Sequence, residues 1–236
     1  IDGAGSVATF LSSAPNFRNR NHLLSAITSA KKDRAKQGIS IAHSLLGTFD
    51  HASIELFESA GFTKLATLQT MEWKNNTSKT NTINTSEIQF IDASKVGKVD
   101  LCNILEQTYE GSLDCPSIYG LRKVEDIFEG HRGVDGYDPA LWFLIHLKNK
   151  PVGVLFLHQP KGQQFLELDY LGITPWARRS GVGQEAIKHA VNQAIDRRCN
   201  QILLAVDDTN EPAIRLYEKA KFHNLSKRVA LFCPLA

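Results

Sequence analysis

The rhythm of apolar and polar residues changes several times along the chain, and each rhythm predicts a different element. From Val182 onward the apolar positions are Val182, Ala186, Ile187, Ala190, Val191, Ala194 and Ile195. At a period of 3.6 residues they share one face of a helix of about five turns. Residues 86–91 alternate in the manner of a half-buried strand, and residues 96–109 and 123–130 have helical spacing. Two apolar runs follow, 141–147 and 152–157, separated by Lys148-Asn149-Lys150-Pro151, which is hairpin chemistry. Residues 165–173 form another strand candidate, with Glu167 and Asp169 inside it. Residues 202–206 read as a buried strand. Asn210-Glu211-Pro212 then opens a short helix with an N-cap and an early proline. A last strand is expected within residues 228–233. Strands and helices intermixed in this way predict an α/β (α+β) fold.

The chain also repeats itself. A gapless shift of 160 residues places Ile54, Leu56, Glu58, Ala60 and Phe62 on identical residues at 214, 216, 218, 220 and 222, and carries Pro15 to Pro175 and Arg18 to Arg178. Residues 1–73 therefore read as the second half of a domain whose complete version occupies residues 86–236. Between the two copies, residues 74–85 are polar and rich in Asn and Thr, the composition of a linker.

Composition narrows the function classes. Hydrophobic residues make up 42% and charged residues 22% of the 236, as in an ordinary globular protein, and the net charge of +2 offers no argument for nucleic acid. Apolar runs are strand-sized, short of the roughly 20 residues that cross a bilayer, so no membrane partner is expected. The four cysteines, Cys102, Cys115, Cys199 and Cys233, are widely spaced with no C-x-x-C pair. Such usage suits a reducing, cytoplasmic compartment better than a disulfide framework or a zinc site. The eight histidines show no ligand spacing either, and no metal is expected. The sequence opens on Ile1 instead of Met, so a preceding segment, including a targeting peptide, stays open.

The chemistry concentrates between a strand and the long helix, in LGITPWARRSGVG at residues 171–183. Glycines at a helix start let backbone N–H groups approach an anion, and the helix N-terminus adds free donors and a favourable dipole. Arg178 and Arg179 add positive charge suited to a pyrophosphate. An ordinary turn with a solvated arginine pair is the bland alternative. A dinucleotide fold is disfavoured, since Ala186 stands where G-x-G-x-x-G needs its third glycine.

The segment Arg178-Arg179-Ser180-Gly181-Val182-Gly183, followed by Asn210-Glu211-Pro212-Ala213-Ile214-Arg215-Leu216-Tyr217 and Phe222, resembles the GNAT superfamily of acetyl-CoA-dependent N-acetyltransferases. The family pattern of strand, R/Q-x-x-G-x-G/A, helix, strand and N-x-x-A-x-x-L-Y-x-x-x-G-F is met in order over residues 86–236. Lys221 departs from it, standing where the family usually has Gly, which puts the local turn geometry in question.

The resemblance implies a mixed, mostly antiparallel central sheet flanked by helices, with the N-terminal repeat as a partial copy. It further implies that acetyl-CoA is the co-substrate. Leu171, Gly172 and Ile173 would hold the pantetheine arm by strand-like pairing. Arg178, Arg179, Gly181, Val182, Gly183 and Gln184 would wrap the pyrophosphate, and Asn210 would lie beside the cofactor. Tyr217 would sit near the thioester sulfur as general acid, a role its ordinary pKa of about 10 suits, although a packed helix residue is the alternative. Asp169 and Glu167, two residues apart, are expected on one side of their strand. They are candidates for the base that deprotonates an amine, or for an anchor that binds it. In the loop 109–119, Glu110 and Asp114 are acceptor-binding candidates, and Cys115 is a free structural thiol before it is a nucleophile.

In residues 1–73, Asn21 and Leu23 replace the cradle glycines and Phe57 replaces Tyr217, so that copy is expected not to bind CoA. The expected activity is direct transfer of an acetyl group to a primary amine, on a small molecule or a peptide. A non-catalytic acyl-CoA-binding or regulatory module and a protein N-terminal or lysine acetyltransferase are the alternatives. The acceptor and the oligomeric state are not legible.

Overall fold

The computed structural model describes residues 6–75 and 87–235. They run β1 (Val7–Thr9), α1 (Arg20–Lys36), β2 (Ile41–Gly47), α2 (His51–Ser59), β3 (Thr63–Lys74), β4 (Ile88–Asp92), α3 (Lys98–Tyr109), α4 (Val124–Arg132), β5 (Trp142–Leu147), β6 (Lys150–His158), β7 (Phe165–Ile173), α5 (Val182–Asp196), β8 (Gln201–Asp207), α6 (Glu211–Lys219) and β9 (His223–Pro234). All the strands join one sheet in the order β1-β2-β9-β3-β8-β7-β6-β5-β4. Pairing is antiparallel except at β1–β2 and β7–β8. This is the mixed, mostly antiparallel sheet with flanking helices that the resemblance implies.

Local chemistry explains most elements. Helix α5 buries Val182, Ala186, Ile187, Ala190, Val191 and Ala194, the stripe read from the 3.6-residue period. The β5–β6 hairpin turns on Lys148 (φ 52°) and Asn149 (φ 64°), two left-handed residues whose twist matches that of the flanking strands. Strand β9 begins at His223, earlier than expected, because its exposed residues 223–227, polar apart from Leu225, carry no burial pattern and become strand only by pairing with β3. Lys74 ends β3, and the rest of the expected linker, from residue 76, lies outside the described residues.

The shift of 160 residues that aligns the sequence copies also aligns elements. It carries Ile41–Gly47 onto Gln201–Asp207, His51–Ser59 onto Glu211–Lys219 and Thr63–Lys74 onto His223–Pro234. The pairing respects it too. Ile41 lies opposite Pro234, and the residues 160 away from each, Gln201 and Lys74, lie opposite one another. Strands β3 and β9 thus cross over, β9 lying beside β2 and β3 beside β8, in the run β2-β9-β3-β8. The cores follow the exchange. Val229, Leu231 and Cys233 of β9 pack with Phe10, Leu56, Phe57 and Phe62, while Met71 and Trp73 of β3 pack with β8 and α5. Each large apolar side chain so buried is worth about 1.5–3 kcal/mol, which binds the two parts into one cooperative sheet. A third cluster joins α3 and α4 to the other sheet face through Leu101, Leu105, Phe128, Trp142 and Phe156. There the rings of Trp142 and Phe156 stack at 4.0 Å.

Candidate active site

Strands β7 and β8 are parallel neighbours only from Phe165–Gln201 to Leu168–Leu204. Beyond that point β7 continues to Ile173 and β8 to Asp207 without pairing to each other, so the sheet splays. At the start of the splay β7 carries a bulge: Tyr170 lies opposite Phe156 and Leu168 opposite Leu157, which leaves Asp169 as the extra residue. A bulge bends a strand and re-aims its side chains. The gap opens into a cleft of about 440 Å³ lined by both strands, by the loop after α3 and by the start of α6. Asp169, Leu171, Gly172, Ile173, Arg178, Arg179, Gly183, Asn210 and Tyr217 all line it. Unpaired strand edges inside a sheet are held apart only where something else can bond them, and an extended amide-bearing chain fits that need.

At one end of the cleft the backbone N–H groups of Arg179, Ser180, Gly181, Val182 and Gly183 make no hydrogen bond among the described residues. Arg179 (φ 64°) and Gly181 (φ 87°) are left-handed, and Gly181 caps the N-terminus of α5. Consecutive free amides in such a turn form a concave anion nest at the positive end of a helix. A side chain at Gly181 would be strained by its φ, and one at Gly183 would press on Leu216, whose Cδ2 stands 3.2 Å from an added Cβ. Val182 contributes only its backbone, its side chain being in the core. Gln184 lines a neighbouring crevice between α5 and α6.

The structure gives Arg178 a different partner set from the expected phosphates. Its guanidinium donates to the carbonyl oxygens of Ile173 (3.1 Å), Thr108 (3.0 Å), Glu110 (2.6 Å) and Gly111 (3.0 Å). It therefore pins the end of α3 to β7. Farther along the same loop, Asp114 accepts from the Asp207 N–H (3.0 Å) and Cys115 N–H donates to the Asp207 carboxylate (3.2 Å). The loop thus crosses the cleft from the β7 wall to the tip of β8. Burial, followed by the charges of Asp114 and Asp207, pushes the Cys115 thiol up to about 12. A thiol so protonated at neutral pH is no nucleophile. The Asp114 carboxyl is also raised, by desolvation, against the lowering effect of the hydrogen bond from the Asp207 N–H, although part of the residue remains exposed. Glu110 is exposed, and its carbonyl serves the Arg178 clamp.

Tyr217 is buried at 7% exposure, lines the cleft, and its hydroxyl makes no hydrogen bond among the described residues. Desolvation, then Asp114 and Tyr170, raises its pKa well above the ordinary 10. The match to a departing thiolate that the unperturbed value suggested is therefore corrected. The phenol stays protonated throughout the physiological range and is a weaker acid than free tyrosine.

Asp169 bonds a residue that sequence reasoning missed. Its Oδ2 lies 2.5 Å from Nδ1 of His131, near the end of α4. The imidazole is wedged between the rings of Phe156 (5.5 Å) and Tyr170 (5.6 Å). His131 sits in no motif, and nothing in its sequence neighbourhood announces it. Glu167, by contrast, does not line the cleft. It lies against His158 at 3.2 Å, and the bulge after it breaks the simple alternation that would have aligned it with Asp169.

In residues 1–73 the loop before α1 is arranged differently. Asn16 Oδ1 accepts from the N–H groups of Arg18 and Asn19, Asn16 N–H donates to Asn19 Oδ1, and the N–H groups of Arg20 and Leu23 donate to the carbonyls of Asn16 and Asn19, so three of the five amides 160 residues before the cradle are bonded within the chain. Phe57 is fully buried and packs edge-on against Phe62 at 5.0 Å, with Phe10 on the other side of Phe62.

All four cysteines are free, and among the described residues no group of His, Cys, Asp and Glu side chains could hold a metal. No described helix is long and apolar enough to cross a membrane.

Comparison with known proteins adds four findings. The model of the Acetyltransferase (GNAT) family matches residues 100–222. An N-alpha-acetyltransferase 30 of Dictyostelium discoideum is 28% identical over 92 residues, 38% of this chain and 49% of that protein. A mycothiol acetyltransferase of Acidothermus cellulolyticus is 36% identical over 67 residues, 28% of this chain and 19% of that protein. The aligned part thus spans half or less of either relative. Among solved structures, a tandem GNAT protein from the clavulanic acid biosynthesis pathway superimposes with a TM-score of 0.57 at 7% identity, covering 98% of this chain and 76% of that one.

Proposed function

The chain belongs to the GNAT acetyltransferase family, and from that membership we propose that it is an N-acetyltransferase moving the acetyl group of acetyl-CoA directly to a primary amine. The observation that carries the reading is the splayed cleft. Five free amides stand at one end of it, unpaired strand edges at β7 run along it, and the Tyr217 hydroxyl waits without a partner. The residues present fit acetyl-CoA. Arg179 to Gly183 would bind the pyrophosphate through backbone N–H groups, with Asn210 and Gln184 at its margin. Leu171, Gly172 and Ile173 would pair with the pantetheine amides, and a backbone N–H of the same strand would polarise the thioester carbonyl.

In this reading Arg178 supports the site by holding its wall, and Tyr217 supplies the proton to the departing sulfur. The raised pKa of Tyr217 keeps that proton available at every working pH. Asp169 faces the acceptor side. Holding amine and thioester in line supplies much of the acceleration. The acceptor is an amine on a small molecule or at a peptide end, the former as in the mycothiol relative and the latter as in the N-alpha-acetyltransferase relative.

We assign residues 86–236 to the catalytic domain and residues 1–73 to a degenerate partial copy that does not bind CoA and completes the sheet through β3. The tandem protein of the clavulanic acid pathway lends that arrangement a structural parallel.

The test is calorimetric titration with acetyl-CoA, comparing the wild type with the Gly181→Glu, Gly183→Glu double variant. Saturation at one site per chain, lost in the folded variant, is the expected result. A folded wild type that takes up no acetyl-CoA removes the enzyme reading, and two sites per chain would overturn the assignment of residues 1–73.

A further inference from the structure

We infer that His131 is the general base of the acetyl transfer and that Asp169 is its positioning residue, the two acting as a dyad at the cleft wall that Asp169 lines. The inference rests on the acetyltransferase reading above and extends it to a residue outside the family pattern quoted for this chain. Three observations meet at the imidazole. Asp169, the bulged residue of β7, reaches Nδ1 at 2.5 Å, while its own side chain lines the cleft. The rings of Phe156 and Tyr170 hold the imidazole plane from β6 and β7. The other ring nitrogen, Nε2, has no hydrogen-bond partner among the described residues.

A carboxylate at Nδ1 selects the tautomer with its proton on that nitrogen, which leaves the Nε2 lone pair free to take a proton. The same carboxylate stabilises the imidazolium once it forms. Such an orienter–base pair is a general device of proton-transfer sites. The charged group facing His131 from β7 is Asp169, with the neutral Tyr170 hydroxyl beyond it, held by Thr108 at 2.8 Å. Phe156 of β6 is apolar. On α4, Glu129 pairs with Arg132 and with Lys98 of α3.

The proton balance closes. An ammonium acceptor gives one proton to Nε2, and the neutral amine forms the C–N bond at the thioester carbonyl. The C–S bond then breaks. The sulfur takes the Tyr217 proton, and the phenol recovers one from the nitrogen that has become an amide. The imidazolium returns its proton to water.

The experiment follows thiol release from acetyl-CoA between pH 5.5 and 9.5, with a tripeptide amide bearing a free α-amino group, with glucosamine, and with water alone. His131→Gln, Asp169→Asn and wild type are compared, and acetyl-CoA binding is measured calorimetrically for each. The expected wild-type kcat/KM rises with pH to a plateau. His131→Gln loses about 10²–10³-fold at neutral pH, climbs without a plateau, and is partly rescued by added imidazole, while acetyl-CoA binding is retained. Asp169→Asn loses less, in kcat with the KM for the acceptor held, because the base stays present but is no longer oriented. A His131→Gln profile that overlays the wild type overturns the inference, as does loss in Asp169→Asn alone, which would make the carboxylate itself the base. Acetyl-CoA binding with no thiol release from any probe also overturns it and leaves the cofactor site standing. Failure of acetyl-CoA to bind at all removes the underlying reading instead.

Discussion

Exchanging Arg178 for lysine separates two uses of positive charge beside an anion cradle. The guanidinium makes four hydrogen bonds, all to backbone carbonyls, and two of them, to Ile173 and Thr108, are partly buried. A net hydrogen bond contributes about 1 kcal/mol, and the carbonyls of Glu110 and Gly111 recover water when the clamp is lost. The partly buried pair therefore sets the scale at about 2 kcal/mol, with about 4 kcal/mol as a ceiling. Lysine offers a single rotating ammonium in place of a rigid fork and can satisfy one or two of these acceptors. Arg178→Lys is expected to lose about 1–2 kcal/mol, felt first in the cleft wall. By hydrogen exchange, the amides of Glu110, Ser112 and Cys115, which bond to Gln107, Tyr109 and Asp207, should lose protection by about tenfold. If the guanidinium serves the cleft wall and not the phosphates, the salt dependence of acetyl-CoA binding should match the wild type, with a weaker affinity overall. The reasoning is refuted if Arg178→Lys keeps full amide protection yet binds acetyl-CoA with a flatter salt dependence. That pair of results would put Arg178 on the cofactor phosphates.

Two further predictions concern stability. His189 is stacked on Phe90 at 4.2 Å and meets Phe143 edge-on at 4.4 Å, and burial lowers its pKa from 6.5 to about 4. The native state keeps this ring neutral while the unfolded chain protonates near 6.5, so stability is lost as pH falls from about 6.5 to 4, by about 3 kcal/mol in all. Urea midpoints should drop over that window in the wild type and drop less in His189→Phe; identical slopes would show that His189 does not control it. Lys221 is left-handed at φ 69°, where the equivalent residue of the N-terminal copy is Gly61 at φ 86°. Lys221→Gly should relieve about 1 kcal/mol of strain and raise the melting temperature by roughly 2–4 °C in a scanning calorimeter, whereas a fall would mean that the lysine side chain contributes more than its backbone costs.

Much of this architecture was legible because it is written in local chemistry. The stripe from Val182 to Ile195 has one helical solution, Lys148-Asn149 one comfortable turn, and Asn210 with Pro212 one place in a helix. The glycine loop and Tyr217 stood out for the same reason, since anion nests and helix starts need particular residues at particular spacings. The shift of 160 residues was visible in the sequence as well, as identical residues at one spacing, and it carries β2, α2 and β3 onto β8, α6 and β9. Local patterns do not record which strand lies beside which. The exchange of β3 and β9 depends on pairings made across more than a hundred residues, and only there do residues 223–227 become strand. The cleft is of the same kind. It exists because β7 and β8 part after Leu168 and Leu204, which no residue in either strand announces. Arg178 looked like a phosphate ligand until the end of α3 came within reach of its guanidinium. Glu167 and Asp169 were expected on one side of their strand until a bulge separated them, and His131 had no visible role until α4 packed it against Asp169. Spacing along the chain determined the residue types and the elements that carry them. Side-chain partners were decided by the tertiary structure, because hydrogen bonds and packing act between neighbours in space.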